Sequence, residues 1–227
     1  MSGATVAVVG MAMELVPSAL AVDPGRLGRI DVHVRNSGPE PREVAVEAPA
    51  DHREWTWVHP ESCSVTPGEE AVVSVFFKPS CGPNPPAGRH TVEIVARARG
   101  EAGPVAKGEV TVEVGAWVDA AGTLDPMVAY DQMAHDYTLN IANRGNVPVT
   151  AALSTDDPSG ALEVGVRPDR VSVGPGETAT ATVAVKARKK LKRGEQRYRV
   201  CVLAAVEGGS ELRVEGAFRQ QGVKGPK

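Results

Sequence analysis

Val32-His33-Val34-Arg35-Asn36-Ser37-Gly38 is an alternating strand that runs into a turn, and Leu139-Asn140-Ile141-Ala142-Asn143-Arg144-Gly145 repeats that pattern. The two asparagines are 107 residues apart. Two further sequence segments recur after 108 residues: Val58-His59-Pro60 corresponds to Val166-Arg167-Pro168, and Pro67-Gly68-Glu69 corresponds to Pro175-Gly176-Glu177. An offset that changes by one residue across these landmarks indicates a duplicated module. The repeated phrases consist of turn residues and strand residues, so they describe architecture rather than chemistry.

Each copy contains many short alternating segments separated by glycine and proline. Ile30, Val32 and Val34 fall on one face of a strand, and Asn36 and Gly38 end it. No window of the chain sustains the apolar spacing of a helix. The expected strands are 13–22, 30–34, 44–46, 55–58, 71–77, 91–98 and 105–114, then 136–142, 149–154, 162–166, 178–186, 198–205 and 212–218. This spacing predicts an all-β protein of two tandem immunoglobulin-like antiparallel β-sandwich domains.

The predicted domains are residues 1–115 and 116–220, followed by a flexible tail at 221–227, with fraying expected from Gln220 onward. No serine- and glycine-rich spacer separates the copies, which favours a stiff connection. Trp117 lies at this junction and is expected to be buried between the domains. No cysteine pair is placed to join the two sheets, so the first core should depend on burial, with Trp55 or Trp57 as its largest contributor.

With these motifs in view, the chain resembles the NEW3/CARDB-like immunoglobulin modules of bacterial proteins. The resemblance rests on the N-x-G, W-x-x-V-x-P and V-x-P-G-E patterns, and on Asn143-Arg144-Gly145-Asn146-Val147-Pro148 in the second copy. The tandem form is similar to actinobacterial two-module proteins that are often labelled "hydrolytic protein" by transfer from fused enzymes. The resemblance covers residues 13–220 and implies an immunoglobulin-like fold. It implies no catalytic residues. Trp57 is a departure, since the pattern accounts only for Trp55.

Composition and charge exclude several classes of function. The net charge is −3, and it is divided unevenly: residues 1–115 carry 10 basic and 15 acidic side chains, and residues 116–227 carry 15 and 13. Neither half is basic enough to predict nucleic-acid binding. No stretch has the length of a membrane span, and the N-terminal residues lack a basic region and a long apolar segment, so neither a membrane protein nor a secreted one is expected.

The three cysteines, Cys63, Cys81 and Cys201, form neither a disulfide framework nor a zinc motif. They are expected to be reduced in a cytoplasmic protein, although a bridge between Cys63 and Cys81 stays open. His52, His59 and Cys63 are close in sequence, but their spacings suit no common zinc site. Asp156-Asp157 before Pro158 is better explained by an Asx turn than by a calcium site. The sequence therefore predicts no metal, no cofactor and no catalytic residue.

Two loops that follow corresponding strands differ strongly between the copies. Residues 188–193 of the second copy carry five positive charges in six positions, on Arg188, Lys189, Lys190, Lys192 and Arg193. The basic loop either contacts an acidic partner, a phosphate or an anionic surface, or it is a solvated loop. In the first copy residues 79–88 are rich in proline, including Pro83, Pro85 and Pro86. This loop either presents a rigid edge to a partner or blocks strand pairing.

The sequence favours a non-enzymatic structural or protein-interaction protein that works as a scaffold or as an accessory component of a larger assembly. Its partners would be other proteins, through an acidic surface or through self-association. The alternative is a carbohydrate-binding or adhesive module, which would need secretion and a row of exposed aromatic side chains, and the chain has nine aromatic residues in total. An enzyme is not expected, because the nucleophile-elbow, P-loop and zinc-protease motifs are absent from the sequence.

Overall fold

A computed structural model describes residues 6–7 and 10–222 of the chain. It divides into two compact units, one ending at Trp117 and the other beginning at Val118. In the described residues, both units are built from β-sheets whose strands pair mostly antiparallel, with one short 3-10 helix at Ala50–His52. The predicted class, two tandem immunoglobulin-like β-sandwiches, is confirmed.

The described residues of the first unit form ten strands. They are β1 (Val6–Ala7), β2 (Met11–Val16), β3 (Ala19–Val22), β4 (Gly28–Asn36), β5 (Arg42–Glu47), β6 (Thr56–His59), β7 (Ser62–Val65), β8 (Glu70–Phe77), β9 (Gly88–Ala98) and β10 (Ala106–Val114). One sheet has the order β1-β10-β9-β5-β7, with β3 running parallel to the other half of β10. The second sheet has the order β2-β4-β8-β6.

The second unit contains nine strands. They are β11 (Ala120–Asp125), β12 (Val128–Asp131), β13 (Ala134–Asn143), β14 (Val149–Asp156), β15 (Leu162–Arg167), β16 (Arg170–Val173), β17 (Thr178–Ala187), β18 (Glu195–Val206) and β19 (Leu212–Gln221). Its sheets have the orders β11-β13-β17-β15 and β12-β19-β18-β14-β16. The two units therefore share one topology, as the repeated sequence predicts.

Alternating side chains fill the space between the two sheets of each unit. In β4 and β8 of the first unit, Val32, Val34, Val73 and Val75 are fully buried, and the residues between them face solvent or the sheet surface. Burying a side chain of this kind contributes about 1.5–3 kcal/mol. The core accordingly forms from β-branched residues in strands, which is where those residues are favoured.

The sequence predicts a single strand over 13–22, and this prediction is wrong. Pro17 interrupts it, so that β2 belongs to one sheet and β3 to the other. In the second unit β11 and β12 divide in the same way at Pro126. Proline has no N–H to give to a ladder, which makes it suitable where a strand leaves one sheet. The repeated Pro60 and Pro168 mark equivalent changes of sheet, from β6 to β7 and from β15 to β16.

The two neighbouring tryptophans have opposite environments. Trp55 is 6% exposed and packs on Phe77, with ring centroids 5.9 Å apart. Trp57 is 44% exposed on the outer face of the sheet, where its ring stacks on Phe76 at 5.5 Å. Of the two tryptophans offered as the largest core contributor, it is thus Trp55 that is buried.

The polar C-terminal segment is ordered further than the sequence predicts. Strand β19 continues to Gln221, and Gln220 is fully buried instead of frayed. Its Nε2 donates hydrogen bonds to the carbonyl oxygens of Gln132 and Lys189, each at 2.9 Å. The amide is buried because these two carbonyls satisfy its donors. The predicted tail beyond residue 222 lies outside the described residues.

Candidate functional site

The repeated asparagine is a buried clamp within each unit. Asn36 Nδ2 donates to the carbonyl oxygens of Glu40 and Val65, at 2.7 and 3.0 Å, and its Oδ1 accepts from the N–H of Gly38 at 2.9 Å. Its backbone also bonds to Glu69 and Gly68 in the Pro-Gly-Glu turn. One side chain therefore joins the end of β4, the end of β7 and two turns.

Asn143 repeats every one of these bonds in the second unit. Its Nδ2 donates to Val147 and Val173 at 2.8 and 3.0 Å, and its Oδ1 accepts from the Gly145 N–H at 2.9 Å. The backbone bonds to Glu177 and Gly176 are present as well. The most recognisable part of the sequence repeat is thus explained by the framework of the fold. A functional site is therefore expected on surfaces that differ between the units.

The proline-rich loop of the first unit packs largely on its own domain. Of its three candidate contact residues, Pro85 is buried, Pro83 is half-buried and only Pro86 is exposed. Pro86 also accepts a hydrogen bond at its carbonyl from His90, at 2.8 Å. The expectation that all three prolines form a presented edge is corrected for Pro85, because a buried ring is not accessible to a partner.

The basic loop of the second unit is anchored through its backbone. The N–H of Arg188 bonds to Ala161 O and its Nε bonds to Leu162 O, both at 2.9 Å, while Lys189 O accepts from Gln220. At the other end Gly222 N donates to Gly194 O at 2.8 Å. The side chains of Lys189, Lys190, Lys192 and Arg193 are exposed, and within residues 6–7 and 10–222 none of them forms an ion pair.

The outer face of β18 and β19 continues this positive surface. Arg197 and Arg199 project from β18, and the register places Arg197 opposite Arg219 and Arg199 opposite Ala217 on β19. Arg219 is neutralised by Glu195 at 2.8 Å and lies 5.5 Å from the centre of the Tyr130 ring. Arg197 has no carboxylate partner in the described part of the chain. Like charges directly opposite each other destabilise a sheet.

A groove of about 560 Å³ lies next to these arginines. Its lining residues are Met127, Val128, Arg197, Arg199, Glu215, Gly216 and Ala217. Met127 is 70% exposed and Val128 36% exposed, so one wall of the groove is an accessible apolar surface. The opposite wall is cationic, and the small Ala217 lies between them on β19. This site was not predicted from the sequence, although the alternation Arg197-Tyr198-Arg199 in a strand was a usable signal.

His52, His59 and Cys63, whose spacing suits no common zinc site, do not form a cluster of metal ligands in the described structure. Among residues with described positions, no group of three or more His, Cys, Asp or Glu side chains could hold a metal ion. His52 packs against Trp55, with ring centroids 5.3 Å apart. Cys63, Cys81 and Cys201 are free thiols, and burial raises the pKa of Cys63 and Cys201. Over the described chain no helix is long and apolar enough to cross a membrane.

Asp157 forms the Asx turn that the sequence predicts. Its carboxylate accepts hydrogen bonds from the N–H and the hydroxyl of Ser159 and from the N–H of Leu162. Burial raises the pKa of Asp157, but these hydrogen bonds and the nearby Arg188 outweigh burial, so its pKa is lowered. The carboxylate is thus committed to local backbone structure.

Tyr137 connects the two sheets of the second unit. Its hydroxyl donates to Ala217 O at 2.9 Å, and the side chain is 1% exposed. Burial raises its pKa to about 12. Ala217 therefore has a structural partner on its inner side and the groove on its outer side.

Trp117, which the sequence places at the junction of the two copies, is 38% exposed, and its role between domains stays a prediction.

Comparison with known proteins gives similarity of fold only. No family model matches the sequence, and no curated protein matches it. Among solved structures, the chain is similar to the D00-D0 domain of intimin, with 17% identity, a TM-score of 0.43 and coverage of 91% of this chain and 98% of that one. It is also similar to a Porphyromonas gingivalis W83 protein of unknown function and to the Pseudomonas aeruginosa CupB2 chaperone. Their identity is 12% each, their TM-scores are 0.35 and 0.34, and the matches cover 92% and 89% of this chain and 99% and 98% of those chains.

Proposed function

We propose that this chain is a non-enzymatic protein-interaction component of the cytoplasm, in which two immunoglobulin-like domains serve as a scaffold for other proteins. The observation that carries the proposal is the basic loop at residues 188–193. Arg188 donates to Ala161 O and Leu162 O, Lys189 O accepts from Gln220, and the adjacent Gly194 accepts from Gly222. Four of the five cationic side chains of the loop are exposed without a carboxylate partner in the described structure.

This arrangement favours a basic loop that binds a partner over a basic loop that is only solvated. A solvated loop needs no fixed backbone, whereas an anchored loop presents its charges with less conformational entropy left to lose on binding. The positive charge also continues onto β18 through Arg197 and Arg199. Such a surface attracts an acidic partner and accelerates encounter. The cytoplasmic location is supported by the cysteine usage of the sequence, and membership of the NEW3/CARDB-like group by its turn motifs.

The test is cross-linked capture of partners from cells that express the protein naturally. A variant with Lys189, Lys190 and Lys192 changed to glutamine is compared with a control that loses the same charge at exposed, unpaired positions elsewhere, namely Arg26, Lys78 and Lys186. We expect at least one protein to be captured by the native chain and the control but lost from the loop variant. Capture of nothing above background, or equal loss from both variants, contradicts the proposal.

A second candidate, carbohydrate binding, is favoured by Trp57. This ring is accessible and stacks on Phe76, so it presents a flat aromatic surface with Arg29 and Ser74 on neighbouring strands. Retention on a polysaccharide column that is lost on Trp57→Ala and kept on Tyr130→Ala would establish this function. Tyr130 is the suitable control because it is exposed on the other unit.

A further inference from the structure

The groove on the second unit has two chemically different walls. Met127 and Val128 form the apolar wall, and Arg197 and Arg199 form the cationic wall. Across the sheet, Val128 pairs with Ala217 and Ala217 pairs with Arg199, so a small residue lies between two larger ones. The side chain of Ala217 is a single methyl group that is 3% exposed, so the larger side chains on both sides rise above it. The groove is therefore a consequence of strand register and of side-chain size.

The two ends of the groove are also defined by side chains. Next to one end, in the row of the groove-lining Arg197, Arg219 lies 5.5 Å from the centre of the Tyr130 ring and pairs with Glu195. At the other end Glu215 lines the groove and pairs with Arg213 at 2.9 Å. These two carboxylates are occupied by arginines of β19, so they leave Arg197 unneutralised and Arg199 with only a 3.8 Å contact to Glu215. In addition, Arg219 Nε is buried without a hydrogen-bond partner among the described atoms.

The positive charge of the groove is reinforced from a neighbouring element. Gln220 Nε2 binds both Gln132 O, directly after β12, and Lys189 O in the basic loop. The loop is thus tied to the end of β19 that follows Arg219, the residue that pairs with the groove-lining Arg197 across the sheet. The cations of the loop and of β18 act on the same region, and they favour a negatively charged occupant.

The spacing of Arg197 and Arg199 determines which shape of ligand the groove can bind. Arg197 and Arg199 are two residues apart on one strand, which places them about 7 Å apart. Carboxylates on alternate residues of an extended peptide have the same repeat, and arginine binds a carboxylate with two parallel hydrogen bonds. When an extended chain lies along the groove, its other side chains point to the opposite wall, where Met127 and Val128 offer apolar contact.

We propose that this groove binds an extended acidic peptide segment of a partner protein in which acidic and apolar residues alternate, with the carboxylates on Arg197 and Arg199 and the apolar side chains on Met127 and Val128. The inference rests on the proposed interaction function and deepens it. A nucleic acid fits less well, because the phosphates of its backbone bring no apolar side chain to Met127 and Val128.

The experiment uses the full chain and a fluorescein-labelled peptide in which glutamate and valine alternate over about ten residues, followed by fluorescence anisotropy at low salt. We expect binding to weaken about tenfold for each of Arg197→Gln and Arg199→Gln, because a charge-assisted hydrogen bond contributes about 1.5 kcal/mol or more and 1.4 kcal/mol is tenfold. Arg170→Gln is the matched control: Arg170 is exposed on the outer face of the same sheet, has no carboxylate partner in the described structure and does not line the groove. It should change affinity less than threefold. Thermal unfolding of each variant checks that the fold is kept.

Three results would overturn the assignment. The first is equal weakening by Arg199→Gln and Arg170→Gln, which indicates charge attraction alone. The second is no loss on Met127→Gln, which removes the apolar wall at a side chain that is 70% exposed. The third is equal or tighter binding of a peptide with the same composition but clustered glutamates, or of a single-stranded oligonucleotide. If the peptide fails while loop-dependent capture of partner proteins persists, the groove is wrong and the proposed function stands; if both fail, both are wrong.

Discussion

Replacing Asn36 with alanine should destabilise the first unit strongly. The substitution removes three hydrogen bonds, from Asn36 Nδ2 to Glu40 O and Val65 O and from the Gly38 N–H to Asn36 Oδ1. With about 1 kcal/mol for each bond, the loss in the free energy of unfolding is about 3 kcal/mol. Because Asn36 is fully buried, the Val65 carbonyl left behind has little access to water, which moves the loss toward about 5 kcal/mol.

Urea unfolding of the full chain can measure this loss in one unit. Trp55 and Trp57 pack on Phe77 and Phe76 of the first unit, so with Trp117 at the junction replaced by phenylalanine the tryptophan fluorescence follows that unit alone. With a urea dependence of about 1–3 kcal/mol per molar, the fluorescence midpoint of Asn36→Ala should fall by about 1–3 M. Asn143→Ala breaks the equivalent bonds in the second unit and should shift the circular dichroism transition while leaving the fluorescence midpoint in place.

Ser37→Ala is the local control, since Ser37 is exposed and its side chain makes no hydrogen bond in the described structure. Its fluorescence midpoint should stay within about 0.3 M of the native value. If Asn36→Ala behaves like Ser37→Ala, the clamp does not stabilise the fold and the physical explanation of the repeated N-x-G motif is wrong.

Three further predictions concern single side chains. Trp55→Ala should cost the first unit about 3–5 kcal/mol and Trp57→Ala about 1 kcal/mol, as measured by circular dichroism in urea, and equal losses would contradict their assigned environments. The pKa of Tyr137 is raised from 10.0 to about 12, so its contribution to the free energy of unfolding is full below pH 10 and is lost as the pH rises toward 12. Tyr137→Phe should remove this loss of stability at high pH, and it should also remove the ultraviolet phenolate signal that develops near pH 12. The pKa of Asp157 is lowered, so its contribution is present above its ordinary pKa and is lost as the pH falls through the lowered value; Asp157→Asn should flatten the acid-side fall of the thermal midpoint, and an unchanged slope would refute its role in the turn.

Sequence periodicity predicted most strands but could not assign them to sheets. The segment 13–22 shows why, because its alternation states which side chains face one way and contains no information about the neighbouring strand. Pro17 separates β2 from β3, and each half pairs with a different partner, β4 or β10. The partner is chosen by long-range packing, so the change of sheet appears only in the tertiary structure.

The contrast between Trp55 and Trp57 has a similar origin. Alternation would place both on one face of a strand. Trp55, however, precedes β6 and lies in a turn where its N–H bonds to His52 O at 3.1 Å. Outside a strand the two-residue period does not hold, and the ring turns inward to Phe77. Gln220 was also mispredicted, because its burial depends on the distant carbonyls of Gln132 and Lys189.

The candidate groove could be predicted only in part. The basic loop is visible in the sequence as a run of charges, and the alternation of Arg197 and Arg199 is visible as well. Nothing local, however, indicates that Met127 and Val128 lie across from them, since these residues are about 70 positions away and meet β18 through β19. A two-walled groove requires three strands in one register.

By itself, the sequence determined the duplication, the β-sandwich class and the position of the turns. Those features depend on local chemistry: alternating β-branched residues, prolines without N–H groups, and an asparagine that can bind the backbone on both sides of a turn. The tertiary structure decided which sheet each half-strand joins, which tryptophan is buried, and that the arginines of β18 face an apolar wall. These outcomes depend on contacts between residues far apart in the chain, which local preferences do not specify.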